Sequence, residues 1–289
     1  MAPGGSSSTS DTLLDVISEA CTKSLGRPIK LVPTSGGGYS GGGGAQTSAA
    51  VDEFTGQKYF VKSASAASGG GGKMLRAEYL GVKEMADTNT IKVPTPVAYG
   101  EGGMLNTAFV VFEYLDMGGY GGSQRELGRQ LAQMHKCASN KHKGFGFHVD
   151  NTIGATPQPN LPWMEDWAEF WDVHRLGHML KLTGDAGLSK ADVEKLRAKT
   201  RELLSHKPQP SLLHGDLWGG NKGFARLESG KSVPVIFDPA TYYGDREADL
   251  AMTELFGGFG ADFYEAYNEE WPIPEDYKKR KVVYNLYHM

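Results

Sequence analysis

The period of the apolar positions changes from mixed to helical part-way along the chain, and that change divides it. Leu13, Leu14, Ile17 and Cys21 recur at helical spacing after a capping Ser10 or Asp11, and the pattern ends near Gly26 and Pro28. Short β-like runs follow at 49–54 and 58–63, joined by a Thr55-Gly56 turn. A helix is predicted over 73–88, carrying Met74, Leu75, Leu80, Val82 and Met85, and a strand over 108–114. Residues 11–115 therefore read as a small β-rich lobe with one inserted helix, after a disordered tail over 1–10.

Beyond Met117 the pattern turns helical. A capping box, Ser123 to Glu126, stands ahead of Leu127, Leu131 and Met134, and a Gly-, Pro- and Asn-rich loop is predicted over 144–160. Trp163, Trp167 and Trp171 have the spacing of one buried helix face, and Ser189 with Asp192 opens another helix. Closing helices are predicted at 249–256, 263–267 and 278–289, which makes 116–289 a mainly helical second lobe.

Composition narrows the ligand class. At 289 residues the chain suits one large domain or two lobes. With 30 basic and 34 acidic side chains and no basic run, nothing marks a nucleic-acid or membrane partner, and the expected ligand is small and soluble. Two distant cysteines, Cys21 and Cys137, read as simple thiols of a reducing, cytoplasmic compartment rather than as a disulfide. His174 and His178 share a helix face but lack the glutamate of a zinc-protease motif, so a metal pair is not expected there.

The candidate chemistry lies in two apolar runs that each end in polar groups, Ser211-Leu-Leu-His-Gly-Asp216-Leu-Trp-Gly-Gly-Asn221 and Val233-Pro-Val-Ile-Phe-Asp238-Pro. Asp216 and Asn221 have the five-residue spacing of a kinase catalytic loop, in which the Asp takes the substrate hydroxyl proton and the Asn ligates magnesium. Asp238 is the second metal candidate. The bland reading, turn-forming Asp and Asn residues, accounts for each one singly but poorly for the set. In the first lobe Lys62, at the end of a strand, is placed to hold ATP phosphates, and Glu78 on the next helix is placed to hold Lys62. Gly36, Gly37 and Gly38 offer backbone amides to phosphates, and Glu113, Tyr114 and Leu115 offer a backbone edge for adenine. Trp218 is a candidate to stack on the substrate, against the alternative of packing beneath its loop, and Asp249 is expected to brace the catalytic loop. The implied architecture is α+β, a bilobal protein kinase-like fold. His214 precedes Gly215-Asp216 where a protein kinase has arginine, Pro239-Ala240 follow Asp238, and helix signals resume by Glu247; these leave no room for a long activation loop and favour a small hydroxylated acceptor.

These residues resemble the fructosamine/ketosamine 3-kinase family, within the wider aminoglycoside and choline kinase-like set. The resemblance runs from about Leu31 to Met289 and rests on Leu213-His-Gly-Asp-Leu-Trp-Gly-Gly-Asn221, Phe237-Asp-Pro-Ala-Thr-Tyr-Tyr-Gly-Asp-Arg-Glu-Ala-Asp249, Gly144-Phe-Gly-Phe-His-Val-Asp-Asn-Thr-Ile-Gly154 and Phe256-Gly-Gly-Phe259. It implies ATP- and Mg2+-dependent phosphorylation of the sugar O3 of a ketosamine, free or protein-bound, by a monomer or homodimer. The phosphorylated adduct is unstable, so the family is described as protein deglycating. Asp216 then resembles the base, Asn221 and Asp238 the magnesium ligands, Lys62 and Glu78 the ATP pair, and Glu113 to Leu115 the adenine hinge. A kinase of another hydroxylated amine and a nucleotide-binding pseudokinase are the alternatives. Tyr39 stands where some relatives carry a cysteine, so redox control of that loop is not expected. The family also implies a further helical segment after Met289, so the second lobe is expected to be truncated, and a plastid address ahead of Met1 is compatible with the chain.

Overall fold

A computed structural model describes residues 9–34, 39–40, 44–66, 70–102, 106–118, 121–137, 141–142 and 144–289. The chain forms two compact units. One contains residues up to Leu80 together with Pro94–Leu115, and the other contains Gly81–Val93 and Asp116–Met289.

The first unit is built on an antiparallel sheet of β1 (Leu31–Pro33), β2 (Tyr39–Ser40), β3 (Gln46–Asp52), β4 (Lys58–Ser65), β5 (Pro96–Gly102) and β6 (Thr107–Glu113), in the order β1-β3-β4-β6-β5 with β2 also on β3. Helix α1 (Thr9–Leu25) lays Ile17 and Cys21 on one face, against Leu31, Ala50, Tyr59, Val61, Val97, Phe109 and Val111. Burial pushes the Cys21 thiol up to about 12, consistent with an inert core residue. Alternation along β4 puts Tyr59 and Val61 on the face covered by α1 and Lys62 on the other. Helix α2 (Gly71–Ala86) brings Glu78 to that other face. β1 and β5 were not anticipated from the sequence: β1 is only three residues long, and prolines at 94 and 96 and glycines at 100 and 102 break up the β5 stretch, whereas β6 is a continuous buried apolar run.

In the second unit α3 (Gln124–Cys137) begins at the expected cap, where Ser123 Oγ accepts the Glu126 N–H at 3.2 Å. The stretch 144–160 is not all loop. It holds a hairpin of β7 (Asn151–Ile153) and β8 (Thr156–Gln158), turned by Gly154 at φ +55°, with Asn151 and Gln158 buried and hydrogen-bonded at 2.8 Å. Nor do three tryptophans share a helix: Asp166 caps α4 (Trp167–Trp171), so Trp167 and Trp171 enter the core while Trp163 lies outside the helix and half-buried. A π-helical turn, Asp172–Leu176, leads into α5 (Gly177–Leu182), and α6 (Lys190–Leu203) is capped by Ser189 as its box predicts.

The remaining strands pair as β9 (Ser211–Leu213) with β12 (Tyr242–Gly244) and β10 (Lys222–Arg226) with β11 (Ser232–Ile236). Helices α7 (Glu247–Phe256), α8 (Ala261–Glu270) and α9 (Tyr277–Leu286) follow. α3 and α8 pack tightly at Gly128, where a Cβ would stand 2.1 Å from the Phe263 carbonyl. The Arg280 guanidinium of α9 donates two bonds of 2.7 Å to the buried Glu247 carboxylate of α7.

Candidate active site

β9 and β11 each deliver a polar loop, and His214 ties the two together. Its Nδ1 lies 3.2 Å from the Asp216 N–H and its Nε2 2.9 Å from the Phe237 carbonyl, which sets a neutral tautomer with the proton on Nε2. Burial, the main influence, lowers the His214 pKa and favours that neutral form. Gly215 follows at φ +80°, and a Cβ there would meet the Ala240 carbonyl at 2.1 Å, so this turn accepts glycine alone. Asp249 braces the loop from α7 as expected: Oδ2 accepts His214 N–H at 2.8 Å and Oδ1 accepts Gly215 N–H at 2.9 Å. Burial alone would raise the Asp249 pKa, but the His135 bond at 3.1 Å and the Gly215 amide hold it below the usual carboxylate range.

Asp216 sits half-buried on this frame. Desolvation raises its pKa, with the charges of Asp238 and Asp249 adding to the rise, while the Asn221 hydrogen bond works against it. A carboxylate raised in this way is a stronger base once ionised. Asn221 Nδ2 donates to Asp216 Oδ2 at 3.0 Å, to the Asp216 carbonyl at 2.9 Å and to the Asp238 carbonyl at 3.3 Å. Because three oxygens claim the amide nitrogen, the Asn221 Oδ1 is turned the other way and is left for another partner. Asp238 holds the left-handed conformation at φ +57° with an exposed side chain. An amide oxygen and a carboxylate are the hard donors that magnesium takes, so the two residues fit such an ion.

Trp218 does not pack beneath the loop. It is 42 % exposed, and its six-membered ring lies over Gly220, where a Cβ would be 2.2 Å away. Gly219 backs onto Gly258, whose Cβ would stand 2.6 Å from the Gly219 Cα. That backbone-to-backbone approach accounts for Gly258, while Gly257 before it stands at φ +72°, in the left-handed region that favours glycine.

In the first unit Lys62 Nζ and Glu78 Oε1 are 2.7 Å apart with both side chains largely buried, so the predicted ion pair forms. Glu113 Oε2 accepts from Thr95 N and Oγ1 at 3.2 and 2.6 Å, which leaves any adenine contact to the backbone of Glu113, Tyr114 and Leu115. Gly36, Gly37 and Gly38 lie outside the described residues. His174 and His178 do not pair: His178 faces the Pro157 carbonyl at 2.9 Å, and His174 is buried. His135, which grips Asp249, went unread because it sits among apolar residues on α3 and nothing local marks its distant partner.

The family model for fructosamine kinase matches residues 17–289. The chain belongs to the fructosamine kinase family. It is 46 % identical over 219 residues to a probable ketoamine kinase of Synechocystis, covering 75 % of this chain and 71 % of that protein. It is 44 % identical over 222 residues to a chloroplastic protein-ribulosamine 3-kinase of Arabidopsis thaliana, covering 74 % and 65 % respectively. Among solved structures, a putative fructosamine-3-kinase from Haemophilus somnus superposes with a TM-score of 0.78 at 29 % identity, over 94 % of this chain and 87 % of that one. The fold of this fructosamine kinase family member is accordingly α+β and kinase-like.

Proposed function

We propose that the chain is an ATP-dependent ketosamine 3-kinase, which phosphorylates the sugar O3 of ribulosamine or fructosamine adducts, free or carried on protein lysines. Supporting this are the family match over 17–289, relatives named ketoamine kinase and protein-ribulosamine 3-kinase, and the kinase-spaced Asp216 and Asn221 joined at 3.0 Å. The Asp216–Asn221 arrangement is the observation that carries the chemistry.

In this reading Asp216 accepts the proton of the substrate hydroxyl as its oxygen bonds to the γ-phosphorus and the bond to ADP breaks. Lys62, fixed by Glu78, holds the α- and β-phosphates of ATP, Gly36 to Gly38 cover them, and the backbone of Glu113 to Leu115 takes the adenine edge. Asn221 and Asp238 would hold Mg2+, which when bound neutralises charge on the phosphate oxygens. Trp218 offers an exposed indole face to the sugar or to the stem of the glycated amine. A cytoplasmic or plastid site of action belongs to the same reading; the Arabidopsis relative is named chloroplastic, and no helix among the described residues is long and apolar enough to cross a membrane.

The test is ATP consumption by the purified chain with magnesium, comparing ribulosamine and fructosamine adducts of lysine with an aminoglycoside and choline. Turnover with a ketosamine and none with the others is expected. Turnover confined to an aminoglycoside or choline would replace the acceptor, and a folded chain that binds ATP yet is silent with all four would contradict the enzyme reading.

A further inference from the structure

A second group of polar side chains in the larger unit has no part in the phosphoryl-transfer chemistry. Glu84, in the last turn of α2, stands beside His142 and His148, with one ligand-type atom of each lying within 4.8 Å of the other two. The Glu84 carboxylate is held from one side: Tyr243 Oη donates to Oε1 at 2.8 Å and the Lys141 ammonium pairs with the same oxygen. Oε2 is left towards His148 Nε2 at 3.9 Å. That gap is too long for a hydrogen bond but near the roughly 3.4 Å edge between two ligands of a tetrahedral zinc ion with bonds of about 2.0–2.1 Å. His142 supplies the independent observation. Its Nε2 is buried with no hydrogen-bond partner among the described residues, a costly state for a polar atom. Its ring is fixed by Tyr243 at 4.4 Å and Trp163 at 4.8 Å between centroids.

We propose that Glu84, His142 and His148 form a binding site for a divalent transition-metal ion of the zinc class, distinct in its residues from Asn221 and Asp238. Two imidazoles and one carboxylate are a zinc donor set, and the half-exposed His148 leaves the fourth position to water. The ion would satisfy the orphaned His142 nitrogen and take Glu84 Oε2 while Oε1 stays with Tyr243 and Lys141, the pattern by which outer partners orient a metal-bound carboxylate. It would clip the end of α2 to the segment that begins the Gly144-to-Gly154 motif. No step of the kinase reaction depends on this site.

Zn2+ alone is the probe. The full chain, stripped of metal by chelator, is titrated near neutral pH by calorimetry and by the change in tryptophan fluorescence, with Co2+ absorbance reporting coordination geometry. One ion per chain is expected, with affinity lowered about 100-fold or more by His142→Ala or His148→Ala. Affinity should be unchanged by Asp216→Asn. His148 is half-exposed, so His148→Ala is expected to keep the wild-type circular dichroism and melting curve of the apo chain. Failure of the wild-type chain to bind Zn2+ overturns the proposal. So does binding that survives both histidine substitutions, or binding that is lost with Asp216→Asn instead.

Discussion

Asp249 Oδ1 accepts the Gly215 N–H at 2.9 Å, so a side chain of α7 holds the backbone one residue before the candidate base. With His214 N–H on Oδ2, the carboxylate fixes two consecutive amides of a turn that glycine alone can make. Asp249→Asn keeps one acceptor and turns an NH2 towards an amide donor. It is expected to lower kcat roughly 10- to 100-fold, about 1–3 kcal/mol, while KM for ATP moves little. Steady-state kinetics decides, and a wild-type kcat would remove the brace from the account.

The raised pKa of Asp216 has two consequences. As a base it must be ionised, so kcat/KM falls as pH drops through its pKa, and that acid limb should lie above the ordinary carboxylate range. Asn221→Ala removes a hydrogen bond that favours the ionised form and should move the limb higher still. A folded pKa above the unfolded one favours folding at low pH and loses that contribution as pH rises through the folded value, so above that value the ionised Asp216 opposes folding. Asp216→Asn should therefore raise Tm at pH values above the acid limb, at roughly 2–4 °C per kcal/mol relieved. An acid limb in the normal range together with an unchanged Tm would contradict the assignment.

Gly220 keeps space for the Trp218 indole, since a Cβ would meet the ring at 2.2 Å. Gly220→Ala should push the indole aside and raise KM for the acceptor roughly two- to tenfold, the worth of one aromatic stacking contact, without changing KM for ATP. Trp218→Ala should match it. Equal KM values in both variants would return Trp218 to a surface role.

Asp52 governs acid stability of the smaller unit. Burial would raise its pKa, but the Thr55 hydroxyl at 2.6 Å, the Arg27 guanidinium at 2.8 Å and the Lys30 and Phe54 amides outweigh it and hold the group at about 2. The folded pKa is depressed, so the stabilisation is fully present above the unfolded value near 4 and is lost as pH falls from there to about 2. Asp52→Asn should flatten the fall in denaturation midpoint over that window. A slope equal to wild type would show that other carboxylates control it.

What could be read from the chain followed local rules. Periodicity placed α1, α2 and α3, the capping serines marked Ser123 and Ser189, and Lys62 on a strand with Glu78 sixteen residues on was enough to foresee their pairing, although β4 runs on to Ser65 and Lys62 lies inside it rather than at its end. The five-residue step from Asp216 to Asn221 marked one polar loop carrying both side chains; that they meet, at 3.0 Å, is seen only in the structure. What stayed hidden depends on distant partners. Trp163 kept helical spacing with Trp167, but the Asp166 cap starts the helix after it. The hairpin at 151–158 buries Asn and Gln where alternation calls for apolar residues, and its amides are satisfied by the Ala240 and Thr241 carbonyls some 80 to 90 positions later. Glu84 meets His142 and His148 only through the tertiary fold.

The most direct measurement is a single-turnover reaction with a lysine-linked ribulosamine and labelled ATP, comparing the wild-type chain with Asp216→Asn and following phosphate onto the sugar by phosphorus NMR. The account predicts 3-phosphate formation in the wild type and a rate lower by roughly 10²–10⁴ in Asp216→Asn, with ATP affinity retained. Phosphate transfer at an equal rate in both chains would contradict it.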